Sequence, residues 1–454
     1  MKKSSSRHLV RRQLFNLTSP IFIEILLIML LGSVDVFMLS RYSDGTVAAV
    51  GVVNQLLSLV FLLFNITTLG TSVLCAQYLG AEQKDSVKQV IGVSVLVNLL
   101  IGLAVSAGMF FYAAPLLRLM GLEESVIADG VAYMQIVGGF AFLQAVSMTL
   151  SAALRAHNKA YYPMAVTALV NVLNIGGNYI LIFGKFGFPA LGAAGAAVST
   201  SACRLVALVL LCYILFKKVV PGISVKLFRP FPKDKLKNLL IVGLPAAGEQ
   251  FSYNFSQVVI TYFTVMLGTA AVAARAYAMN IVMFSYVFAA AIGQGAAISI
   301  GHFIGKDRDS AAYTVERYSI RLALGVTLVL SVLTALVGTN IFKLLTNNPE
   351  IIRMGALVLY IDVVLEIGRA VNITSVDSLN AAGDVYYPMW TGIIVMWGVA
   401  TLLSYVFGIC LGWGLAGIWV AMALDENIRA AVFERRWHSK KWTSKAFARK
   451  GRIH

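Results

Sequence analysis

Twelve apolar runs, each long enough to cross a bilayer as a helix, follow one another through these 454 residues. They fall at 15–40, 47–78, 90–113, 127–153, 162–184, 191–216, 239–267, 273–303, 318–345, 352–382, 386–411 and 414–434. In hydrocarbon, a segment of this kind must satisfy its peptide groups internally, and an α-helix does so. The expected fold is therefore an all-α integral membrane protein with twelve transmembrane helices. No stretch between the runs is long enough for a soluble domain. A chain 59% hydrophobic and only 13% charged is too apolar for a soluble enzyme. The stretch before the first run is basic and shows no small-residue cleavage site, so that run is expected to remain as a span.

The charges report orientation. An even number of spans puts both termini on one side of the membrane. On that side Lys and Arg number five before the first run, two after the second, two after the fourth, seven from 217 to 237, four after the eighth and eight from 435 onward. Those 28 face six on the other side, and Arg204, Arg369 and Arg429 lie within spans. This bias predicts cytoplasmic termini and a plasma-membrane protein. It also accounts for the net charge of +16 without nucleic acid, since the cations serve topology and anionic headgroups. Cys75, Cys203, Cys212 and Cys410 lie in or beside apolar runs without paired spacing, which indicates neither a disulfide framework nor a metal site. The chain has no P-loop, HExxH or GxSxG, so it is expected to have no enzymatic activity and no cofactor, and to draw its energy from an ion gradient.

An internal repeat divides the runs into two sets of six. Pro20 and Glu24 recur as Pro245 and Glu249, QYLGAEQKDS recurs as HFIGKDRDS, and LRAHNKAYYPM recurs as LNAAGDVYYPM, all at an offset of 225 residues. GAAG at 192–195 then matches GLAG at 414–417 at an offset of 222. Six spans per repeat give both halves the same orientation about an axis along the membrane normal. The expected organisation is an N-terminal lobe over 1–216, a linker over 217–238, a C-terminal lobe over 239–434 and a basic tail over 435–454.

Asp35 lies inside the first apolar run, where a lone carboxylate costs on the order of 2–3 kcal/mol even on a lenient scale. Such groups face water-filled cavities and handle cations, although an aspartate reaching the surface or a neighbouring helix is the simpler alternative. Asn171, Asn174 and Asn178 share one helix face, and Ser199, Thr200 and Ser201 follow in the next span. Carboxylate, amide and hydroxyl oxygens suit a monovalent cation or a proton. The same groups also serve as interhelical glue, at about 0.6 kcal/mol per pair. In the second half, Glu249 and the run Asp362, Glu366 and Arg369 stand out, with an internal Glu366–Arg369 pair as the structural reading. Tyr133, Gln144, Tyr253 and Met283 are candidates to line a cavity for a lipophilic cation, or are simply packing residues.

With VDVFMLSRYS, ALRAHNKAYYPM, NIGGNYILIFGKFGFPALGAAGAA, GLPAAGEQ and LEIGRAVN, the whole chain resembles the multidrug and toxic compound extrusion (MATE) family, its DinF-like branch in particular. The resemblance implies two six-helix lobes and alternating access. It also implies export of small amphipathic organic cations by a monomer, against inward H⁺ or Na⁺. It places the coupling cation at Asp35 with Asn174, Asn178 and Thr200, and makes Glu249 a second-lobe candidate. Asn178 stands where aspartate is common, which favours H⁺ over a tight Na⁺ site. A lipid-linked precursor flippase of the same superfamily is the alternative. It would need a cationic chamber, whereas Asp35, Glu249, Asp362 and Glu366 outnumber the mid-span arginines.

Overall fold

The computed structural model describes residues 2–222 and 225–450, with side chains over 11–222 and 227–449. The side chains of Lys2, Lys3, Arg7, Lys226 and Lys450, and the end of the basic tail with Arg452, lie outside the described residues. Twelve long helical segments follow the twelve apolar runs. They are α1 (Lys2–Ser40), α2 (Asp44–Gly80), α3 (Lys84–Phe111), α4 (Ile127–Tyr133 continuing to Ala141–Ala156), α5 (Tyr161–Phe183) and α6 (Gly192–Tyr213). The second set is α7 (Lys233–Met266), α8 (Thr269–Gly305), α9 (Asp309–Leu345), α10 (Pro349–Ala382), α11 (Tyr386–Val395, extended through Cys410) and α12 (Gly414–His438). Among the described residues eight helices are long and apolar enough to span alone, and α4 makes a ninth as a pair bent by 42°. The wide π turn Met134–Gly138 and the adjacent Gly139 account for that bend. The remaining three are long enough but more polar: α10 and α12 carry the buried charges described below, and α7 carries Glu249 followed by a run of Gln, Ser, Tyr and Asn.

The repeat is visible in the backbone itself. Helices α2 and α8 have the same length and begin and end 225 residues apart. The turns after them place Glu82 and Asp307 at φ 61° and 56°. The turns after α4 and α10 place Asn158 and Gly383 in the same left-handed region, at 58° and 89°. Gly192 and Gly414, which open α6 and α12, have φ 53° and 61° and differ by 222, the second offset. The left-handed region is open to glycine and tolerated by Asn and Asp, so three of these pairs preserve a turn geometry even where the residue changed.

The chain divides into two compact units, Ile23–Gly243 and Met1–Phe22 with Leu244–His454. This division cuts α1 near Pro20 and α7 near Pro245, and does not follow the 217–238 linker of the sequence reading. Both prolines lie inside their helices and do not initiate them, and each removes one backbone donor there. The physical reason for the placement of residues 11–22 is packing. Leu14 is buried with Ala296, Ile300, Phe433 and Trp437, Thr18 sits against Gly295, and Phe22 stacks on Phe288 with ring centroids 4.0 Å apart. The expected linker is also partly helical, since α7 starts at Lys233. Within the N-terminal unit it is held by Lys235 over the Tyr78 ring at 4.6 Å and by Gln89 donating to the Leu227 carbonyl at 3.1 Å.

In the N-terminal unit α5 packs on α6, and α3 and α2 pack on α4. Asn98, fully buried on α3, ties three helices by donating to Phe64 O at 3.3 Å, Ala145 O at 3.0 Å and Thr149 Oγ1 at 2.7 Å. Asn98→Leu is expected to lower the stability of the purified protein by about 1–2 kcal/mol, because those acceptors lose their shared donor. Thermal unfolding in detergent reads this, and an unchanged midpoint would refute it. In the C-terminal unit α10 packs on α8, α9 and α12, which places its charged face in the interior.

Candidate functional site

The N-terminal unit gathers Asp35 with the polar residues of α5 and α6. Asn178 Nδ2 donates to Asp35 Oδ1 at 2.7 Å and to Asn174 Oδ1 at 2.9 Å, and Asn174 Nδ2 donates to Thr200 Oγ1 at 3.2 Å. Helical spacing stacks Asn174 and Asn178 one turn apart. Gly177 lets α6 come close, because a Cβ there would strike Ser199, whereas Gly176 faces open space. Helix α5 runs through both glycines unbroken. Asn171 leaves this group and donates to Leu27 O of α1 at 2.7 Å, the role of interhelical glue.

The arrangement is incomplete in an instructive way. Asn174 and Asn178 are buried, and Asn178 Oδ1 has no donor. Asp35 is half-buried, and no Lys, Arg or His lies within ion-pair distance of it among the described residues. Arg204 and Tyr133 do lie within electrostatic reach of it. Arg204 is itself held by the Phe61 ring, 5.7 Å from its centroid, and donates to Val137 O at 3.5 Å. An anionic oxygen beside an orphaned amide oxygen is chemically suited to a proton or a small hard cation.

The C-terminal unit holds a larger polar network. Arg369 bonds Glu366 at 2.5 Å and approaches Glu426 at 3.6 Å. Arg429 bonds Asp425 at 2.6 Å and Glu426 at 3.2 Å. Asn372 donates to Glu426 at 2.6 Å, and Trp419 Nε1 donates to Asp362 at 3.1 Å. Read along the chain, Asp425, Glu426 and Arg429 form a local set on α12. The fold makes Glu426 the bridge from that set to α10. Glu249 of α7 joins by charge, within reach of Arg429, Asp377 and Glu426, and it packs against Gly392, where a Cβ would meet its Oε1 at 2.9 Å. Five carboxyl groups (Asp362, Glu366, Asp425, Glu426 and Glu249) thus share two guanidiniums, with Asp377 near Glu249 as a sixth acid, an excess of negative charge that a low-dielectric interior tolerates only with protons or cations bound.

The remaining sequence candidates divide. Tyr133 is buried near Asp35, and Tyr253 lies within reach of Arg369, Glu426 and Arg429. Gln144 and Met283 join neither set by any described contact, and Met283 exposes 40% of its surface. Glu24 pairs with Arg155, both its oxygens 3.0 Å from Nη1, and Asp384 pairs with Arg436 at 2.7 Å.

A multi-pass helical bundle with charged residues sealed among its spans is the build of a membrane transporter. The chain belongs to the MatE family, whose model matches residues 20–180 and 245–406, two stretches that begin 225 residues apart. It is similar to the uncharacterized transporter YisQ of Bacillus subtilis, at 43% identity over 435 residues and 96% of each chain. It is also similar to the probable multidrug resistance protein NorM of Thermotoga maritima, at 26% identity over 98% of this chain and 96% of that one. Among solved structures, a MATE transporter in its bent conformation superposes with a TM-score of 0.88 at 22% identity, covering 96% of this chain and 97% of the other. A MOP superfamily transporter from Pyrococcus furiosus gives 0.87 at 21%, covering 95% and 96%. Members of this family are transporters, so the protein is a transporter and not an enzyme.

Proposed function

We propose that the protein is a cation-coupled antiporter that exports small amphipathic organic cations by alternating access, exchanging them for inward H⁺ or Na⁺. It would act as a monomer in the plasma membrane with both termini in the cytoplasm. The single observation that carries this reading is Asp35, a half-buried carboxylate with no Lys, Arg or His within ion-pair distance among the described residues, set beside the orphaned oxygen of Asn178. A coupling ion and a cationic substrate would compete for that charge, so release of one on one side would favour loading of the other. The excess of carboxyls around Arg369 and Arg429 supports a cationic cargo and weighs against a flippase for anionic lipid headgroups. The relatives named for multidrug resistance support export of drugs. Asn178, which brings an amide and no second carboxylate, favours H⁺ as the coupling ion.

Expression in a bacterial strain stripped of its efflux pumps is expected to raise resistance to lipophilic cations such as ethidium. In vesicles of known orientation an imposed pH gradient is expected to drive their export, and a Na⁺ gradient at constant pH to drive it less. Indifference to both gradients would refute coupling, and a lack of resistance to any organic cation would refute the substrate class.

A further inference from the structure

Glu24 and Asp384 lie outside both networks but each has an arginine; one more buried acid among the described residues belongs to neither network and has no ion pair. Glu316, two turns into α9, is fully buried, and neither of its oxygens meets a donor among the described residues. The group facing it within hydrogen-bonding reach is another carboxyl, that of Glu434 on α12, and Arg317 acts on it from its own helix. Around them the packing is apolar: Val315 of α9, Ile300 and Ile304 of α8, Leu379 of α10, and Phe433 and Trp437 of α12 form one cluster. Glu434 accepts Ser375 Oγ of α10 at 3.3 Å, and its other oxygen lies 3.6 Å from His438 Nδ1. Exposure is graded along this line, from 47% at the His438 side chain to 27% at Glu434 and none at Glu316. Other cations also reach the first turns of α9: Arg449 bonds Asp309, Lys440 lies over the Tyr313 ring, and Arg11 is stacked over Tyr318.

Two ionised carboxylates offer acceptors and no donor, so they repel wherever water is excluded. One proton between them replaces that repulsion with an O–H···O⁻ bond, which is among the stronger hydrogen bonds. We propose that Glu316 and Glu434 form a proton-binding site in the C-terminal unit, distinct from Asp35 and from the Arg369–Arg429 network, and loaded from the exposed His438 end. The repeat sets it apart further. At the offsets of 225 and 222 the equivalent positions in the first half are Ile91 and Cys212, so the pair is a feature of the second half alone.

A fold that depends on this shared proton is weakened when the proton is removed, so stability falls as pH rises. The test is thermal unfolding of the full-length protein in detergent, in choline buffers, from about pH 6 to about pH 9. Glu316→Gln supplies an N–H in place of the proton. The wild type is expected to lose several degrees more across that range than Glu316→Gln, and Glu434→Gln is expected to flatten the profile likewise. If Glu316→Gln does not fold, the Glu434→Gln profile decides. Profiles parallel to wild type would overturn the proposal. So would a rise in the wild-type midpoint at the alkaline end on replacing choline with Na⁺, if the variants lacked it, because the occupant would then be a metal cation.

Discussion

Asp35→Asn is expected to reduce ion-coupled export by more than about tenfold, the equivalent of about 1.4 kcal/mol in cation affinity, at normal expression. Asparagine nearly matches aspartate in shape and keeps an oxygen in place to accept Asn178 Nδ2, so the hydrogen bond at 2.7 Å survives. What disappears is the charge. No other carboxylate hydrogen-bonds with Asn174, Asn178 or Thr200 among the described residues, so nothing there takes over a cation. The measurement is gradient-driven uptake of a fluorescent lipophilic cation in inverted vesicles, normalised to protein. Full coupled transport by the variant would remove the basis of the proposed mechanism. Asn178→Leu is expected to have a smaller effect on rate, because it removes a positioning donor and an oxygen but leaves the carboxylate.

The second large effect concerns stability. Arg429→Leu is expected to cost about 3–5 kcal/mol, because it strands Asp425 and Glu426 without their shared cation in a site where all three side chains are at most 7% exposed. The cost arises from the acids left behind more than from the loss of attraction. The combination Arg429→Leu with Asp425→Asn and Glu426→Gln should therefore recover much of the loss. Midpoints in a denaturant series on the reconstituted protein report both. If the triple variant were no more stable than Arg429→Leu, the penalty would lie in packing and the electrostatic account would fail. Arg369→Leu is expected to behave in the same direction, since Glu366 would lose its bond at 2.5 Å.

The parts legible in advance were those that act over short sequence distances or repeat. Glu366 and Arg369 pair because three residues bring them to one face of a helix. The turns at Glu82 and Asp307 share a backbone geometry because the peptides around them match. Links across long separations were not legible. Along the chain Glu24 is only part of a repeated Pro–Glu pair, with no sign that Arg155 is its partner, and Asp425, Glu426 and Arg429 are a local set with no sign of their bridge to α10 through Glu426. Glu316 carried no signal at all. It sits beside Arg317 and close to Asp309 and Arg321 at the polar start of α9, and looks like a surface charge until its burial is known.

By itself the sequence determined the all-α spanning class, the six-and-six repeat and the identity of Asp35 as the anomalous charge. Each of these follows from local hydrophobicity, from periodicity or from the cost of one ion in hydrocarbon. Tertiary structure alone decided which of the polar residues meet, that residues 11–22 of α1 pack with the C-terminal unit, and that an acid at the start of α9 faces a second acid. The reason is that a helix face has several possible neighbours. Which one it meets is set by the packing of small and large side chains across the interface, as at Gly177 against Ser199 and Gly295 against Thr18, and no linear pattern encodes that choice.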